Sequence, residues 1–267
     1  MRLFQSSAPH AWGRWIAFLL VTSMFTHWPS ATSAMLKTNE SSDDISKRVQ
    51  TRLALANAYF QAGMSTIAFE EVDKALVLAP RSSVALSFKA ILYQQQLKFD
   101  LAESHFNRAT ELAPDSPEIA HDFGVFLCQM GRFDLSFAKF ETAVKQSMGL
   151  PRDKTEWVWG QCLLKIDHLA EANEHMSQAL ERQPEFFLIG EPLIAVKMAL
   201  HRFAEAEKIT DKLNDSPSVS AQSLWLGIQL AERLQKPDKK KQWAKMLGQL
   251  FPTSKQWQQH QDGQLHE

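Results

Sequence analysis

Apolar and small residues recur three or four positions apart along most of the chain, as in Ala68, Val72 and Ala75. This spacing places them on one face of an α-helix, and the stretches end at turn residues or prolines. No stretch alternates apolar and polar residues in the manner of a strand. The pattern therefore predicts a chain built from amphipathic helices.

The prolines that follow these helices are regularly spaced. Pro80 and Pro114 are 34 residues apart, and Pro184 and Pro252 are 68 apart, which is twice that interval. Because proline cannot continue a helix, each of them marks the end of a repeating unit. The chain divides into six such units, with one two-residue insertion. The units begin near residues 49, 83, 117, 153, 187 and 221.

Small residues occupy matching positions in these units, where the two helices of a pair would cross. Helix axes approach to about 8–10 Å only where the contact residues are small. The positions resemble those of the tetratricopeptide repeat. We therefore expect an all-α fold, a right-handed superhelical solenoid of about six helix pairs that covers residues 47–254. The residues that carry the resemblance include Leu55, Ala56, Tyr59, Ala68, Val72, Ala75, Ala90, Ala102, Phe106, Ala109, Gly124, Phe140, Ala143, Gly160, Ala172, Met176, Ala179 and Gly227.

Several segments depart from the repeat. Residues 147–152 carry the insertion, and Pro192 falls where the first helix of the fifth unit should run. Since an interior proline costs about 3 kcal/mol, we expect that helix to begin at Pro192. The polar residues 35–46 are typical of a disordered linker. Residues 255–267 form a polar C-terminal tail, which we expect to cap the last helix and then fray.

Residues 1–34 are typical of a secretory signal peptide. Arg2 and Arg14 are their only formally charged side chains, an apolar run follows over residues 15–25, and small residues lead to a cleavage site after Ala34. The apolar run is shorter than the roughly 20 residues that a membrane-spanning helix needs. An uncleaved anchor is the alternative. No cysteine follows the cleavage site, so we do not expect a lipoprotein from this leader.

The charge balance and the residue types argue against several classes of function. The 267 residues contain 29 Lys and Arg against 30 Asp and Glu, and removal of the leader leaves 27 against 30, a net charge of −3. A nucleic-acid-binding protein would have a basic excess. The nine histidines show no metal-ligand spacing, and the chain has neither a nucleophile elbow nor a glycine-rich phosphate loop. We therefore expect no catalytic residue, metal, cofactor or small-molecule substrate.

The two cysteines are placed to form a disulfide. Cys128 lies in the first helix of the third unit and Cys162 in the first helix of the fourth, at nearly matching positions. First helices of neighbouring repeats stack side by side, and an exported protein matures in an oxidising compartment. We predict a Cys128–Cys162 disulfide that closes a loop of about 34 residues, a constraint of roughly 3–4 kcal/mol in the chain-entropy model. Two buried free thiols are the alternative.

Four segments resemble the type IV pilus biogenesis and stability proteins, the tetratricopeptide-repeat pilotins of Gram-negative bacteria. They are residues 123–133, 159–163, 223–228 and 250–252, and the Phe-Leu-Cys-Gln and Leu-Trp-Leu-Gly-Ile sequences within them are the most specific. The resemblance extends over about residues 47–253. It implies a function without catalysis at the periplasmic face of the outer membrane. Such proteins help secretin subunits to reach that membrane, assemble into the pore and remain stable, and twitching motility depends on the resulting pilus.

The first helices of a repeat stack line a concave surface that suits a segment of a partner protein. We hypothesise that this surface binds the secretin, with apolar side chains giving affinity and amides satisfying the partner backbone. Of the two tryptophans in the fourth unit, we expect Trp157 to face the groove and Trp159 to lie in the core. Inter-repeat packing of Leu53, Phe60 and Ile91 is the alternative. The predicted groove residues are Leu53, Asn57, Phe60, Ile91, Gln94, His121, Val125, Lys154 and Trp157.

The predicted partners are the outer-membrane secretin or other pilus assembly proteins, and the predicted location is the periplasm near the outer membrane. A general periplasmic adaptor for another envelope or cytochrome assembly pathway is the alternative function, because the same fold would serve it. An enzyme has little room, since the six units occupy residues 49 to about 254.

Overall fold

The computed structural model describes residues 41–148 and 150–265, and within these residues every regular element is helical. Successive helices are joined by short turns into six pairs, which confirms the predicted all-α repeat fold. A thirteenth α-helix, which is unpaired, follows the last pair. The helices are α1 (Ser42–Gln61), α2 (Ser65–Leu78), α3 (Ser83–Gln95), α4 (Phe99–Leu112), α5 (Pro117–Gln129), α6 (Phe133–Gln146), α7 (Leu150–Leu164), α8 (Leu169–Arg182), the 3-10 helix Pro184–Ile189, α9 (Glu191–Ala199), α10 (Phe203–Asn214), α11 (Ala221–Arg233), α12 (Pro237–Leu250) and α13 (Lys255–Leu265).

First helices of successive pairs contact one another at three places along the stack. The helix α3 contacts α5, α5 contacts α7, and α9 contacts α11. Several of these helices begin at a serine cap: the side chains of Ser82, Ser116 and Ser220 each accept a hydrogen bond from the backbone N–H three residues later. Local sequence thus sets where these first helices start, and their contacts bring their side chains onto one shared surface.

Each pair turns through one residue in the left-handed region, at the same place in every unit. A left-handed backbone costs a residue other than glycine roughly 1–2 kcal/mol. Hydrogen bonds of the turn offset this cost: after α3, the N–H of Lys98 donates to the carbonyl of Tyr93 at 3.0 Å. The turn geometry is therefore kept in units that lack glycine. The residues, with φ from 55° to 75°, are Gly63, Leu97, Gly131, Asp167, His201 and Gln235.

The two helices of a pair cross closely where the contact residue has no side chain. A Cβ atom added at Gly160 would lie 2.3 Å from Cγ of Met176 and 3.1 Å from the carbonyl oxygen of Ala172. A Cβ atom added at Gly124 would lie 2.7 Å from the ring of Phe140. The steric role predicted for these positions is confirmed, because each glycine lies against a buried side chain of the second helix.

The predicted disordered linker over residues 35–46 is wrong for residues 42–46, which form the first turn of α1. The hydroxyl of Ser41 accepts a hydrogen bond from the N–H of Asp44, and the acidic side chains of this turn lie at the positive end of the helix dipole. Ile45 packs against the apolar cluster around Val49. Residues 35–40 and the leader at 1–34 lie outside the described residues.

The fifth unit differs from the others at its start. The 3-10 helix Pro184–Ile189 precedes it, and α9 begins at Glu191 with Pro192 in its first turn. The helix thus begins one residue before the predicted start at Pro192. The proline is tolerated there because a proline in the first turn loses no intrahelical hydrogen bond.

The polar C-terminal tail is mostly a helix of its own, α13, after a break at Pro252. The ring of Trp257 lies over Gly248, where an added Cβ atom would be 2.8 Å from it, and His260 is buried. The side-chain amide of Gln256 donates to the side-chain oxygen of Gln222 at 2.9 Å. The expected cap is therefore a separate helix, which covers the last repeat through its contacts with α11 and α12.

We expect Gly160→Ala to lower the free energy of unfolding by about 1–3 kcal/mol, the usual cost of overpacking a close contact. Met176 and the backbone of Ala172 leave no room for the added methyl group. Chemical denaturation would measure the change. Gly263→Ala is the matched control, because it lies in α13 with nothing within 4 Å of an added Cβ atom. A loss of stability in the control as large as that in Gly160→Ala would contradict the steric explanation.

Candidate protein-binding groove

An apolar cavity of about 450 Å³ lies between α1, α3 and α5. It contains four of the predicted groove residues, Leu53, Asn57, Phe60 and Ile91. The rings of Phe60 and Phe88 meet edge to face with centroids 5.9 Å apart and form one wall. The complete lining is Leu53, Asn57, Phe60, Gln61, Val84, Ser87, Phe88, Ile91, Glu118, Ile119 and Asp122.

A second cavity, of about 370 Å³, lies between α5 and the start of α7. It contains the predicted residues His121 and Lys154. Glu118 and Asp122 line both cavities, so the two form one groove across the first four helix pairs. We call the two cavities together the inner groove. The lining of the second is Pro117, Glu118, His121, Asp122, Ser147, Pro151, Lys154 and Thr155.

His121 is fixed by a hydrogen bond between two first helices. The hydroxyl of Thr155 donates to the carbonyl of Pro151 at 3.0 Å, so it must accept from Nδ1–H of His121 at 2.9 Å. Burial, and then the positive charge of Lys154, lower the pKa of His121. The imidazole is therefore held neutral and serves as a spacer between α5 and α7.

Asp122 is half-buried in the floor of the inner groove and forms no ion pair among the described residues. Burial first, and then repulsion from the Glu118 carboxylate, raise the pKa of Asp122 from an ordinary value of 3.8 to about 7, while the nearby hydroxyl of Ser87 opposes the shift. Near neutral pH the groove thus carries a carboxyl group whose ionisation is unfavourable, since no cation among the described residues neutralises its charge.

Three predicted groove residues lie elsewhere. Trp157 is only 2% exposed, and its indole ring packs edge to face on Phe186 with centroids 5.5 Å apart. The prediction that Trp157 contacts a partner is therefore wrong, because the 3-10 helix before the fifth unit closes over it. Val125 packs in the cluster around Phe140. Gln94 donates from its amide to Gln129 at 2.5 Å and lines neither cavity.

The sequence contains a signal for the groove residues that the prediction missed. Ser87 lies 34 residues after Leu53 and 34 before His121, so it occupies the same repeat position as two residues that were predicted. Asp122 follows Phe88 by the same interval. Strict use of the repeat spacing would have identified both.

The two cysteines lie side by side on α5 and α7. Their Sγ atoms are 2.03 Å apart and their Cα atoms 6.1 Å apart, which is disulfide geometry. The pair packs with Phe140 in one apolar cluster and joins the third and fourth units next to the inner groove. Covalent linkage at this point would hold in place the first helices that carry His121 and Lys154.

Neither a group of metal ligands nor a membrane-spanning helix is found in the described part of the chain. Among its residues, no three His, Cys, Asp or Glu side chains are grouped in a way that could hold a metal ion. The helices of the described part include none that is both long and apolar enough to cross a membrane. What these residues do present is an open groove with apolar walls and two carboxyl groups at its centre.

No protein-family model matches the chain. In sequence, the chain is 23% identical over 251 residues to the type IV pilus assembly protein PilF of Pseudomonas aeruginosa. The alignment covers 92% of this chain and 96% of that protein. The structure of the P. aeruginosa protein superimposes with a TM-score of 0.73 at 20% identity, covering 82% of this chain and 99% of that one.

Two further structures share the fold. PilW, described as a widely conserved type IV pilus biogenesis factor, has a TM-score of 0.68 at 25% identity and covers 79% of this chain and 97% of its own. YrrB, a tetratricopeptide-repeat protein with an unusual peptide-binding site, has a TM-score of 0.60 at 12% identity. The superposition covers 72% of this chain and 97% of YrrB.

The chain is a tetratricopeptide-repeat protein similar to the type IV pilus biogenesis proteins. The predicted resemblance is thereby confirmed over nearly the whole chain. The similarity to PilF extends through the first three helix pairs, where the apolar cavity lies, and continues beyond the divergent fifth unit.

We expect Cys128 and Cys162 to be joined in the exported protein. Titration of the denatured, non-reduced protein should then find no free thiol, and reduction should lower the free energy of unfolding by roughly 3 kcal/mol through the lost constraint on the unfolded chain. The double variant Cys128→Ala and Cys162→Ala should be insensitive to reductant. Two free thiols in the exported protein would overturn this prediction.

We expect Asp122→Asn to stabilise the protein more at alkaline than at acid pH. The folded protein holds a proton on Asp122 that the unfolded chain gives up near pH 3.8, so stability falls as pH rises between 3.8 and about 7. Asparagine has no proton to lose, so the variant avoids this loss of stability. After allowance for solvent screening, we expect the free energy of unfolding to rise by on the order of 1–2 kcal/mol at pH 8 and to change little at pH 4. Denaturant titrations at both pH values measure it.

Asp115→Asn is the matched control for this experiment, because Asp115 is exposed in the turn before α5. Its effect on stability should be the same at both pH values. If Asp122→Asn is equally independent of pH, the Asp122 carboxyl group is not held protonated by the groove.

Proposed function

We propose that this protein is a non-enzymatic protein-binding scaffold of type IV pilus biogenesis, which binds the outer-membrane secretin and assists its localisation, multimerisation or stability. The observation that carries the proposal is the inner groove, an open, largely apolar surface on the first helices. The similarity to PilF and PilW supports its assignment to pilus assembly. The secretin is the partner that the pilotin resemblance of the chain suggests.

The groove has the means to hold a polypeptide segment. Phe60, Phe88 and Ile91 provide apolar contact area, and such side chains give binding energy by removing a partner's apolar atoms from water. The side-chain amides of Asn57 and Gln61 line the same cavity and can pair with a backbone that a bound segment would otherwise leave unsatisfied. Binding by such a surface requires no reacting group.

We place the protein in the periplasm near the outer membrane. The leader at residues 1–34 has the pattern of an export signal, and a cysteine pair at disulfide distance suits an oxidising compartment. Binding at the inner groove would bring a secretin subunit to the scaffold before the multimer forms.

The function can be tested with two matched phenylalanine variants. Phe60 and Phe69 are both half-buried and pack in the same apolar cluster, but Phe60 lines the inner groove and Phe69 does not. We expect a strain that carries Phe60→Ala to lose most of its secretin multimers in the outer membrane. Phe69→Ala should retain them at a comparable loss of stability. Immunoblots of unheated envelope fractions measure the multimer, and blots of the protein itself verify equal amounts.

Two results would contradict the proposal. If both variants preserve the multimers, the inner groove does not serve the secretin. If affinity capture of the wild-type protein from envelope extracts recovers assembly factors of another pathway and no secretin, the protein is a general periplasmic adaptor.

A further inference from the structure

The carboxyl groups of the inner groove lie at its centre. Glu118 and Asp122 are one turn apart on α5, and both line the apolar cavity and the neighbouring one. Glu118 accepts a hydrogen bond from the hydroxyl of Ser116 at 2.9 Å, whereas Asp122 forms neither an ion pair nor a well-formed hydrogen bond among the described residues. Any segment that follows the groove must pass these two groups.

Asp122 lacks an ion pair among the described residues, whereas two other buried carboxylates of this protein each form one. The buried Glu71 binds Arg52 at 2.8 Å and Lys74 at 2.7 Å. The buried Asp153 binds Arg182 at 2.5 Å. Ion pairing of this kind offsets the free-energy cost of removing a charge from water. No cation in the described chain offsets this cost for the Asp122 carboxylate, so a cation of a partner would bind favourably there.

A second polar group of the same cavity lies beside Asp122. Ser87 is 3% exposed, and its hydroxyl, although close enough to Asp122 to influence it, completes no hydrogen bond. Ser87 lines the apolar cavity together with Asp122. Ser87 and Asp122 together form a polar point on the otherwise apolar wall. Asp122 lines both cavities and is the part of this point that a ligand can reach.

The neighbouring cations of the protein do not fill this position. Lys154 of α7 lines the adjoining cavity but forms no ion pair with Glu118 or Asp122 among the described contacts. The ammonium group of Lys139 lies over the ring of Phe123, 5.1 Å from its centroid. Burial, and then the positive charge of Lys154, lower the pKa of His121, so its imidazole is neutral. The acidic centre of the groove is therefore available to a cation of a partner.

We propose that the inner groove selects an extended partner segment in which a lysine or arginine stands within a few residues of a large apolar side chain. The cation lies between Asp122 and Glu118, and the apolar side chain enters the cavity beside Phe60 and Phe88. Charge complementarity at the centre gives direction and register, while the apolar cavity gives affinity. The inference rests on the proposed function only in that the groove binds protein, and does not depend on the partner being the secretin.

Selection from random peptides displayed on phage tests this inference without knowledge of the partner. The purified protein, the double variant Glu118→Gln and Asp122→Asn, and Phe60→Ala would each be used as the target. We expect the wild-type protein to enrich peptides with Lys or Arg at a constant distance from an aromatic or aliphatic residue. The double variant should enrich the apolar residue alone. Asp115→Asn, an exposed carboxylate outside the groove, is the control and should select as the wild type does.

Calorimetry on one enriched peptide then measures the contribution of the cation. Replacement of its basic residue by Gln should weaken binding to the wild-type protein about tenfold, as expected for a charge-assisted hydrogen bond, and leave binding to the double variant unchanged. Enrichment of apolar residues without a basic one would overturn this inference and leave the groove as a binding site. Failure to enrich any peptide, or selection unaffected by Phe60→Ala, would overturn the proposed groove function as well.

Discussion

The close crossing of the two helices in each pair is the contact on which the rest of the structure depends. At Gly124 and Gly160, the second helix presses a side chain against the backbone of the first, and no Cβ atom would fit between them. Such contact sets the distance and angle within a pair, and repetition of the pair sets the position of the next. The first helices are consequently lined up so that side chains from different units share one surface.

The charges of that surface are paired less completely than some buried charges elsewhere. Lys197 is buried and donates to Asn173, Ser177 and Glu205, and these hydrogen bonds offset the cost of its burial. In the inner groove, the carboxyl group of Asp122 has no cationic partner among the described residues. A protein that binds an extended segment benefits from this arrangement, because groups left unsatisfied in the free state give a bound partner both affinity and register.

The cysteine pair and His121 act at the same boundary. Both connect α5 with α7, one through sulfur atoms at disulfide distance and the other through a hydrogen bond to Thr155. The two-residue insertion precedes α7, so the regular repeat spacing is broken at this boundary. These cross-links restore a defined relation between the third and fourth units, and thereby define the second cavity of the groove.

Most of the fold could be predicted from local features of the sequence. Regular prolines, small crossing residues and serine caps act within one or two helical turns of where they stand, so the six pairs follow from sequence spacing. The same spacing places Leu53, Asn57, Phe60 and Ile91 in the groove, because they lie on first helices with only repeat neighbours beside them. Trp157 was misplaced because the irregular segment after α8, which has no counterpart in the repeat, packs over it.

The sequence by itself thus determined the helices, their pairing and the face that carries the groove, since each depends on contacts between residues close in the repeat. Only the tertiary structure decided which polar groups of that face are satisfied. Whether Asp122 meets a cation depends on where Lys154 and Lys139 come to lie from other helices, and in this fold neither reaches it. The C-terminal tail also depends on tertiary contacts. Its polar composition is typical of a solvated end, but the ring of Trp257 packs against Gly248 and the tail forms α13.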